Sequence, residues 1–373
     1  MKLALVVPGG VDRSGEYRVI PALLALIERL AMRHDVHVFA LHQEPDPATW
    51  TLRNARVHNI GDRSTRLRAV RAILTQHRRA AGFELVHSIF SGAPGLVAVS
   101  AARLLRIPSV VHVAGGEPVS MPDIRFGGRR NWYGRWQEAV VMAGASAITA
   151  ASESQLELLS MIGVPARRVP LGVDRLRDWP AREPVARGAG EPARLIHVAS
   201  LNRVKDQPTL LHAVARLVPD HPQLRLDIVG DDMLGGEMQR LAAALGVADR
   251  VRFHGFLTQR QLYPLMQQAH VSVICSRHEA GPLVVLEAAA AGVPTVGTAV
   301  GHIAEWAPEA AIAVPVGDAT ALAAALDGVL RDESLRLRLA RAAQLWALRE
   351  DADYTVACFE RLYSELLRSA AKP

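Results

Sequence analysis

The sequence predicts an α/β fold made of two doubly wound, Rossmann-like domains. Short runs of valine, isoleucine and leucine alternate with amphipathic helical stretches, the pattern of a parallel sheet covered on both faces. This alternation occurs twice and is interrupted by a stretch rich in proline and glycine. The chain has 373 residues, more than one hydrophobic core usually serves, so two domains are expected.

The N-terminal domain is predicted over residues 1–172. Its first strand, "KLALVVP", runs into a Gly-rich turn without a small-residue cleavage site, which indicates a strand rather than a signal peptide. Later strands are predicted at "DVHVFAL", "FELVHSI", "PSVVHVA" and "SAITAAS". The helices between them are predicted at "YRVIPALLALIERLAMR", "RSTRLRAVRAILTQHRRA", "PGLVAVSAARLLR" and "RWQEAVVMAGA".

A linker is predicted over 173–193, and a second domain of the same kind over 194–350. Its strands are "RLIHVAS", "LRLDIVGDD", "VRFHGF", "VSVICSR", "PTVGTA" and "AAIAVPV", separated by helices. The tail, 351–373, predicts a helix that packs back on a domain, with the N-terminal one as the candidate. Two such domains facing each other would leave a cleft at the carboxyl ends of their sheets, where open α/β folds bind ligands.

Composition excludes several classes of protein. Half of the residues are hydrophobic and 21% are charged, which is globular rather than disordered. No apolar run approaches the length of a membrane span. Two cysteines, Cys275 and Cys358, are too few for a disulfide framework or a zinc site and suit the cytoplasm.

The positive charge lies in the first half. Residues 1–190 hold 25 Lys+Arg against 16 Asp+Glu, a net charge of +9. Because the whole chain has a net charge of +6, residues 191–373 have a net charge of −3. Much of the excess is in "RSTRLRAVRAILTQHRRA", where arginines flank an apolar line of Leu67, Val70, Leu74 and His77. Such a helix either lies on an anionic membrane surface or turns its apolar line to its own core. No aromatic residues are interleaved for base stacking, so nucleic acid is not expected.

Three loops at predicted strand ends suit an anionic ligand. In the first, Gly9 and Gly10 permit close backbone approach, although they lack the spacing of a dinucleotide fingerprint. In the second, Arg203 and Lys205 precede a helix N-terminus, where cations add to exposed amides in binding a diphosphate. Either could instead be a surface charge, but the chain has only three lysines.

The third loop opens an unusually apolar helix, predicted over 282–291 with Pro282 as its first residue. Glu279 precedes it and Glu287 lies inside it. A carboxylate in such surroundings needs a partner, which could be a ligand diol or a protein arginine. The residues by themselves leave both alternatives open.

The stretch "EAGPLVVLEAAAAGVPTV" resembles the E-x7-E signature of retaining glycosyltransferases of family 4, which have the GT-B fold of two facing Rossmann-like domains. The segments "VPLGVD", "VASLNRVKD", "LDIVGDD", "VRFHGF" and "VGTAVGHIAEW" follow the family's order and approximate spacing. The resemblance covers almost the whole chain and is most specific over residues 195–305.

The resemblance implies a role for each matching residue. Glu279 would hydrogen-bond the donor hexose, Glu287 the ribose hydroxyls, and Lys205 the donor diphosphate. The other implied donor contacts are the backbone segment of Gly281, Pro282 and Leu283 at the diphosphate, His254 and Gly255 near the base, and Gly9 and Gly10 near the phosphates and acceptor. Such enzymes use a nucleotide sugar, need no metal or other cofactor, and act by a front-side mechanism.

Three departures from the family pattern stand out. Ser200 occupies the place of the family's phosphate-binding arginine, and Arg203 is the candidate substitute. Ala114 stands where the family has a histidine; His112, two residues earlier on the same strand face, is the catalytic candidate, with a packed strand histidine as the alternative. His302 replaces a commoner glycine.

Two other features are less specific. Asp231 and Asp232 resemble a metal pair but end a strand as turn residues do, so no metal site is predicted. The irregular segment 115–136 combines glycines, arginines and aromatic residues, and either shapes an acceptor site or is a surface excursion.

Together these features predict a retaining hexosyltransferase. It would move a sugar from a nucleotide-diphospho-sugar to a glycan or lipid-linked acceptor in cell-envelope or exported glycan synthesis. It would be cytoplasmic, with peripheral contact at the inner face of the membrane through the basic N-terminal domain. The rival functions are a GT-B nucleotide-sugar epimerase and a non-catalytic nucleotide-sugar-binding protein.

Overall fold

The computed structural model describes residues 1–63, 65–79, 82–188 and 190–370, and the chain divides into two compact units. The first comprises Met1–Gly172 together with the chain from Ala352 onward, and the second is Val173–Asp351. The first unit therefore ends at the residue where the sequence analysis ended its first domain. None of the helices in the described ranges has the length and hydropathy of a membrane span.

The first unit is an open sheet flanked by helices. Its elements, in chain order, are β1 (Lys2–Val7), α1 (Pro21–Ala31), β2 (Asp35–Ala40), β3 (Ala48–Leu52), β4 (Ala55–Asn59), α2 (Thr65–Arg79), β5 (Leu85–Ile89), α3 (Ala93–Leu105), β6 (Ser109–Val113), α4 (Trp132–Gly144), β7 (Ala147–Ala150), α5 (Glu153–Met161) and β8 (Arg167–Arg168). The strand order is β3-β4-β2-β1-β5-β6-β7-β8. Every pairing is parallel except that of β3 with β4. The central strands are buried along their length, which explains their continuous apolar runs.

The antiparallel hairpin β3–β4 is an element that the sequence analysis missed. Leu52 pairs with Ala55, so Arg53 and Asn54 alone form the turn. Both have positive φ, 50° and 62°, as a type I′ turn requires. The turn lacks the glycine that usually marks a two-residue hairpin, so the signal in the sequence is weak.

The basic helix α2 forms as predicted but buries a different face. Its buried residues are Thr65, Ala69 and Ile73, and Leu67 of the predicted apolar line is 80% exposed. The predicted line therefore does not form the buried face as a whole, although Val70 of that line packs against the core. The buried face packs against the core of its own unit, which was the alternative to a membrane.

The second unit has a six-stranded, wholly parallel sheet. Its elements are β9 (Arg194–Val198), α6 (Gln207–Leu217), β10 (Arg225–Val229), α7 (Glu237–Ala244), β11 (Val251–Phe253), α8 (Gln259–Met266), β12 (Val271–Ile274), α9 (Leu283–Ala290), β13 (Thr295–Thr298), α10 (Gly301–Trp306), β14 (Ala311–Val314), α11 (Ala319–Arg331) and α12 (Glu333–Arg349). The strand order is β11-β10-β9-β12-β13-β14. This is the doubly wound order of the Rossmann fold, in which the chain works outward from a central strand and then returns to its other side.

The predicted linker 173–193 belongs to the second unit instead of standing apart. Val173 and Trp179 are buried in one of its core clusters, and Trp179 is 1% exposed. The Trp179 indole donates to Gln259 Oε1 at 2.6 Å. The prolines and glycines of this segment prevent regular structure, but its apolar side chains still anchor it.

The final helix, α13 (Ala352–Ala370), belongs to the first unit. Phe359 and Tyr363 are fully buried there, in one core cluster with residues of β1 and α1. The Tyr363 hydroxyl and His87 Nδ1 are hydrogen-bonded at 2.7 Å. The structure therefore has this helix packed on the N-terminal domain, as the sequence analysis considered for the tail.

Candidate active site

The candidate site lies at the carboxyl edge of the second sheet, between the loops that follow β9 and β12. These strands are neighbours, and the chain leaves β9 toward one sheet edge and returns at β12 to build the other. Adjacent loops diverge at such a switch point and leave a crevice that binds ligands in open α/β sheets. Lys205 lies in the first loop and Glu279 in the second, so the topology brings them together.

Lys205 and Glu279 form a partly buried ion pair. Lys205 Nζ is 2.5 Å from Glu279 Oε1, and the side chains are 25% and 12% exposed. The Ser276 hydroxyl donates to the same carboxylate oxygen at 2.6 Å. Hydrogen bonds of this charge-assisted kind are short and strong. An anion that binds Lys205 must therefore compete with Glu279.

The loop that carries Lys205 is held by groups that the sequence analysis did not select. Asn202 Oδ1 accepts from the backbone amides of Val204 and Lys205, each at 3.2 Å. The Cys275 thiol donates to the Lys205 carbonyl at 3.0 Å. An asparagine that bonds amides two and three residues ahead is a typical turn device, so Asn202 was detectable in the sequence.

The helix after Glu279 begins one residue later than predicted. Pro282 is the N-cap, with extended backbone, and α9 starts at Leu283. The amides of its first turn point out of the helix end that follows Gly281, as at every helix N-terminus. Gly301, at the start of α10, lies against this loop: a Cβ there would be 2.6 Å from Pro282 Cδ and 3.3 Å from Glu279 Cβ.

Glu287 is buried inside α9, with 6% exposure. Burial raises the pKa of its carboxyl group to about 8, and the nearby Asp178 carboxylate adds to the rise, while the polar N–H of the Trp179 indole, which donates to Gln259, opposes it. No arginine in the described ranges forms an ion pair with Glu287, so the alternative of a protein arginine partner is wrong. The carboxyl group instead faces the segment that precedes β9.

Arg203 is held away from the Lys205–Glu279 pair by a partner of its own. Its two terminal nitrogens donate to the Glu237 carboxylate at 2.7 and 2.6 Å, and its side chain is 52% exposed. This bidentate pair lowers the pKa of Glu237. Ser200 contributes its carbonyl to a hydrogen bond from Gln207 Nε2 at 3.2 Å. The substitution of Arg203 for the family arginine stays a prediction.

His254 and Gly255 follow β11, two strands from β9. His254 Nε2 and Asp227 Oδ1 are 2.6 Å apart, so the ring is oriented by an acid. Gly255 has a φ of 67° and its carbonyl accepts from the Gly230 amide at 2.8 Å. Their contact with a base stays a prediction.

His112 has no contact that supports a catalytic role. It is fully buried in β6, its Nδ1 is 2.9 Å from the Thr149 hydroxyl, and its ring meets Phe359 edge-on. Burial lowers its pKa to about 3, which leaves it neutral at physiological pH. The packed strand histidine, stated as the alternative, describes its placement, and the catalytic role of His112 stays a prediction.

Gly9 and Gly10 follow β1, at the switch point of the first sheet. Gly10 has a φ of 79°, and a Cβ on it would lie 2.6 Å from the Ile20 side chain. Its carbonyl accepts from the Ile20 amide at 3.0 Å. Close packing within the first unit therefore explains Gly10 as well as a ligand does, and the phosphate and acceptor role stays a prediction.

The first unit also contains a polar cluster that the sequence analysis missed, inside and beside the segment 115–136. Glu117 Oε1 accepts from the Ser91 amide at 2.8 Å, and Gln155 Nε2 donates to the Gly115 carbonyl at 3.0 Å. Ser91 Oγ, Glu117 Oε2 and Gln155 Oε1 are buried, and none of the three has a hydrogen-bond partner among the residues that the structure describes. Ser91, Glu117 and Gln155 come from three loops or helix starts at the carboxyl edge, so only the fold reveals the cluster.

The acidic pair Asp231–Asp232 acts as a turn device. Asp232 accepts from the amides of Leu234 and Gly236 at 2.8 and 2.7 Å, as predicted for turn residues. Across the described part of the chain, no group of three or more His, Cys, Asp or Glu side chains is arranged to hold a metal ion. Metal independence itself stays a prediction.

Comparisons with known proteins cover most of the chain. The model of the family described as Glycosyltransferase Family 4 matches residues 22–177, and that of Glycosyl transferases group 1 matches residues 183–346. The MMP alpha-(1->4)-mannosyltransferase of Mycolicibacterium hassiacum is 29% identical over 336 residues, which are 85% of this chain and 75% of that protein. The chain spans only 57% and 50% of two other curated relatives.

Solved structures support the fold. Sucrose-phosphate synthase from Thermosynechococcus elongatus matches with a TM-score of 0.80 and 20% identity, over 99% of this chain and 100% of that one. HepE from Anabaena, solved in complex with UDP-glucose, matches with a TM-score of 0.75 and 20% identity, over 98% and 100%. The chain therefore belongs to the glycosyltransferases of GT-B fold, an enzyme family of the hexosyltransferase class, with a family 4 region ahead of a group 1 region.

Proposed function

We propose that this glycosyltransferase moves a hexosyl group from a nucleotide-diphospho-sugar to a hydroxyl acceptor with retention of anomeric configuration. The observation that carries the proposal is the Lys205–Glu279 pair at the switch point of the second sheet, beside the N-terminus of α9. A cation, helix amides and a carboxylate at one edge suit a ligand that has a diphosphate and sugar hydroxyls. The UDP-glucose complex of the HepE neighbour supports this donor class.

In the proposed reaction, the bond between the anomeric carbon and the diphosphate oxygen breaks while the acceptor oxygen bonds to the same face. The acceptor proton passes to the departing diphosphate, so no protein nucleophile is needed. Lys205 would neutralise charge that develops on the diphosphate. Glu279, released from Lys205, would accept hydrogen bonds from the hexose, and Glu287 from the ribose.

The acceptor is proposed to be a glycan or a lipid-linked sugar in cell-envelope or exported glycan synthesis, reached by peripheral contact with the cytoplasmic face of the membrane. The excess of arginine in the first half of the chain favours an acceptor that is anionic or lies at an anionic surface. We propose that no metal or other cofactor takes part, because Lys205 and the amides at the start of α9 supply positive charge to the diphosphate.

The first experiment is a thermal-shift panel of UDP, GDP and ADP sugars on the full chain. We expect one nucleotide series to raise the melting temperature, because a ligand that binds only the folded state stabilises it. No shift with any series at millimolar concentration would contradict the donor assignment.

Turnover then separates the rival functions. Incubation of the identified donor, first alone and then with glycan and lipid-linked acceptors, should give an α- or β-linked product whose anomeric proton in NMR matches the donor configuration. Release of an altered sugar without acceptor would indicate an epimerase. Binding without release or transfer of sugar under any condition would indicate a non-catalytic protein.

A further inference from the structure

The outward face of α4 in the first unit is aromatic. Four apolar residues at helical spacing lie on it with exposures of 72%, 39%, 51% and 36%: Trp132, Tyr133, Trp136 and Val140. The inward face holds Gln137 and Glu138, both buried, beside Val141 and Met142. A helix at a protein surface normally exposes polar residues to water and buries apolar ones, and the first half of α4 has the reverse arrangement.

The exposed rings form a continuous surface that reaches α2. The Tyr133 ring centroid is 6.0 Å from that of Trp132 and 5.8 Å from that of Trp136. The Arg66 guanidinium of α2 lies over the Tyr133 ring, 5.6 Å from its centroid, and donates to the Tyr133 hydroxyl. Leu67, the next residue of α2, is 80% exposed. We call Trp132, Tyr133, Trp136 and Val140 the aromatic surface.

Cationic side chains surround the aromatic surface. Arg130 and Arg135 are exposed beside the start of α4, and each donates to a backbone carbonyl, of Arg125 and of Arg129. Arg66 bonds Tyr133 as described. Within the described ranges, none of these three arginines forms an ion pair, so their charge is available to a partner. The acid within the helix, Glu138, is buried and paired with Arg129 at 2.5 Å.

We propose that the aromatic surface and its arginines dock the enzyme on an anionic lipid bilayer. Tryptophan and tyrosine favour the headgroup level, where one part of the ring is apolar and another is wet. Arginine is attracted to lipid phosphates and to the negative surface potential. This contact deepens the peripheral membrane contact of the proposed function, on which it rests. It differs from the predicted contact because the buried face of α2 packs on its own core and α4 supplies the apolar contact.

A soluble glycan is a poorer fit to the same surface. Aromatic rings also stack on sugars, but a glycan site needs polar side chains that select hydroxyl groups. The aromatic surface instead combines its rings with an exposed valine and with positive charge. These are the properties of an interfacial surface, and a neutral glycan would gain nothing from the arginines.

The test uses the full chain with large unilamellar vesicles, without donor or acceptor, so that it is independent of transferase activity. We expect co-sedimentation with vesicles of phosphatidylcholine and phosphatidylglycerol in equal parts, and much less with phosphatidylcholine alone. Tryptophan emission should shift to the blue as Trp132 and Trp136 leave water. Binding should weaken with added salt, because the attraction to the surface potential is screened.

Two double variants locate the surface, with matched controls in the same unit. Trp132→Ala/Trp136→Ala should abolish the emission shift, and Arg130→Gln/Arg135→Gln should lower the partition coefficient roughly tenfold or more. Arg78→Gln/Arg79→Gln, at the other end of α2, loses the same charge and should bind as the wild type does. Leu104→Ala, at an exposed leucine of α3, is the apolar control. Circular dichroism and thermal unfolding check that each variant is folded.

Three results would overturn the proposal. The wild type could fail to bind anionic vesicles at low salt, or the tryptophan variant could bind as well as the wild type. The Arg130→Gln/Arg135→Gln variant and its control Arg78→Gln/Arg79→Gln could lose binding equally, which would indicate attraction by net charge without a defined surface. If the tryptophan variant loses transfer to a soluble glycan while vesicle binding is unchanged, the surface is a glycan site.

Discussion

Lys205 and Glu279 neutralise each other in the structure, so a donor that binds as proposed has to displace one of them from the other. The two charges are partly buried at 2.5 Å, and Ser276 adds a third contact to the same oxygen. A diphosphate would replace the carboxylate as the partner of Lys205, and the freed carboxylate would then accept hydroxyl groups. Lys205 would thus exchange one ionic partner for another, and hydrogen bonds from hydroxyl groups would replace the ion pair at Glu279, which would limit the cost of binding.

Lys205→Met should lower kcat/KM for the donor about a hundredfold, because it removes positive charge from the diphosphate. Arg203→Gln is the matched comparison. It also removes one positive charge, two residues before Lys205, but the Arg203 side chain is paired with Glu237. We expect a much smaller loss for Arg203→Gln, measured by steady-state kinetics with the identified donor. Equal losses in the two variants would mean that Arg203 leaves Glu237 and binds phosphate.

Glu287 makes the stability of the unliganded enzyme depend on pH. Its pKa is about 8 in the folded chain and near 4.5 when unfolded, so between these values the folded state holds a proton that the unfolded state has lost. The free energy of unfolding should therefore fall as pH rises from 5 to 8, by up to ~1.4 kcal/mol per pH unit from this group. Glu287→Gln should remove that part of the slope.

Urea unfolding at several pH values, without nucleotide, measures the effect of Glu287→Gln. Glu183→Gln, at an exposed carboxyl group, is the control and should keep the wild-type slope. Parallel curves for the wild type and Glu287→Gln would show that Glu287 is ionised at neutral pH in the folded chain.

At the scale of elements, the start of α10 positions the loop that carries Glu279. Gly301 has a φ of 49° and lies against Pro282 and Glu279, a fit that a side chain would destroy. The Thr298 hydroxyl, just before α10, donates to the Ser276 carbonyl at 2.6 Å and ties β13 to the same loop. Glu279 was selected by the family resemblance, but the residues that hold its loop, Thr298 and Gly301, belong to the next βα unit.

Gly301→Ala should weaken donor binding and destabilise the chain, because the new methyl group collides with the Glu279–Pro282 loop and the backbone is strained. Gly328→Ala is the control: it lies within α11, a Cβ there meets nothing within 4 Å, and the variant should be ~0.5–1 kcal/mol more stable. Calorimetric titration with the donor and urea unfolding measure the two effects. Unchanged donor affinity in Gly301→Ala would show that the loop tolerates displacement.

At the scale of the whole molecule, the chain begins and ends in the same unit. α13 closes the core of the first unit with Phe359 and Tyr363, which contact His87. His87 and His112 are buried, and burial lowers the pKa of both, so this core contains neutral histidines packed on aromatic rings. The first unit is therefore incomplete until the last helix is made.

Phe359→Ala should destabilise the first unit by ~3–5 kcal/mol, as for other large-to-small changes in a core, and leave the second unit unaffected. Hydrogen exchange resolves the two: amides of β1 should lose protection, while those of β9 keep it. Ser369→Ala, at an exposed position of the same helix, is the control. Equal loss of protection in both sheets would mean that the units unfold as one.

The sequence by itself determined the architecture and selected the candidate residues of the site. Long apolar strands and amphipathic helices have periods that depend on local backbone geometry, so the two sheets and most helices were predictable. The hairpin at Arg53–Asn54 was missed because its turn uses no glycine, and the buried face of α2 was misjudged because several apolar lines run along it. Lys205, Glu279 and Glu287 were selected from their residue types and family resemblance.

Only the tertiary structure decided which groups meet. Side chains 74 positions apart form the Lys205–Glu279 pair because β9 and β12 are neighbours in the sheet. The pairing of Arg203 with Glu237, the burial of His112 and the exposure of Trp132 likewise depend on how elements pack. A sequence records the period of each helix and strand, but partners and burial are set by contacts between distant segments, and those exist only in the folded chain.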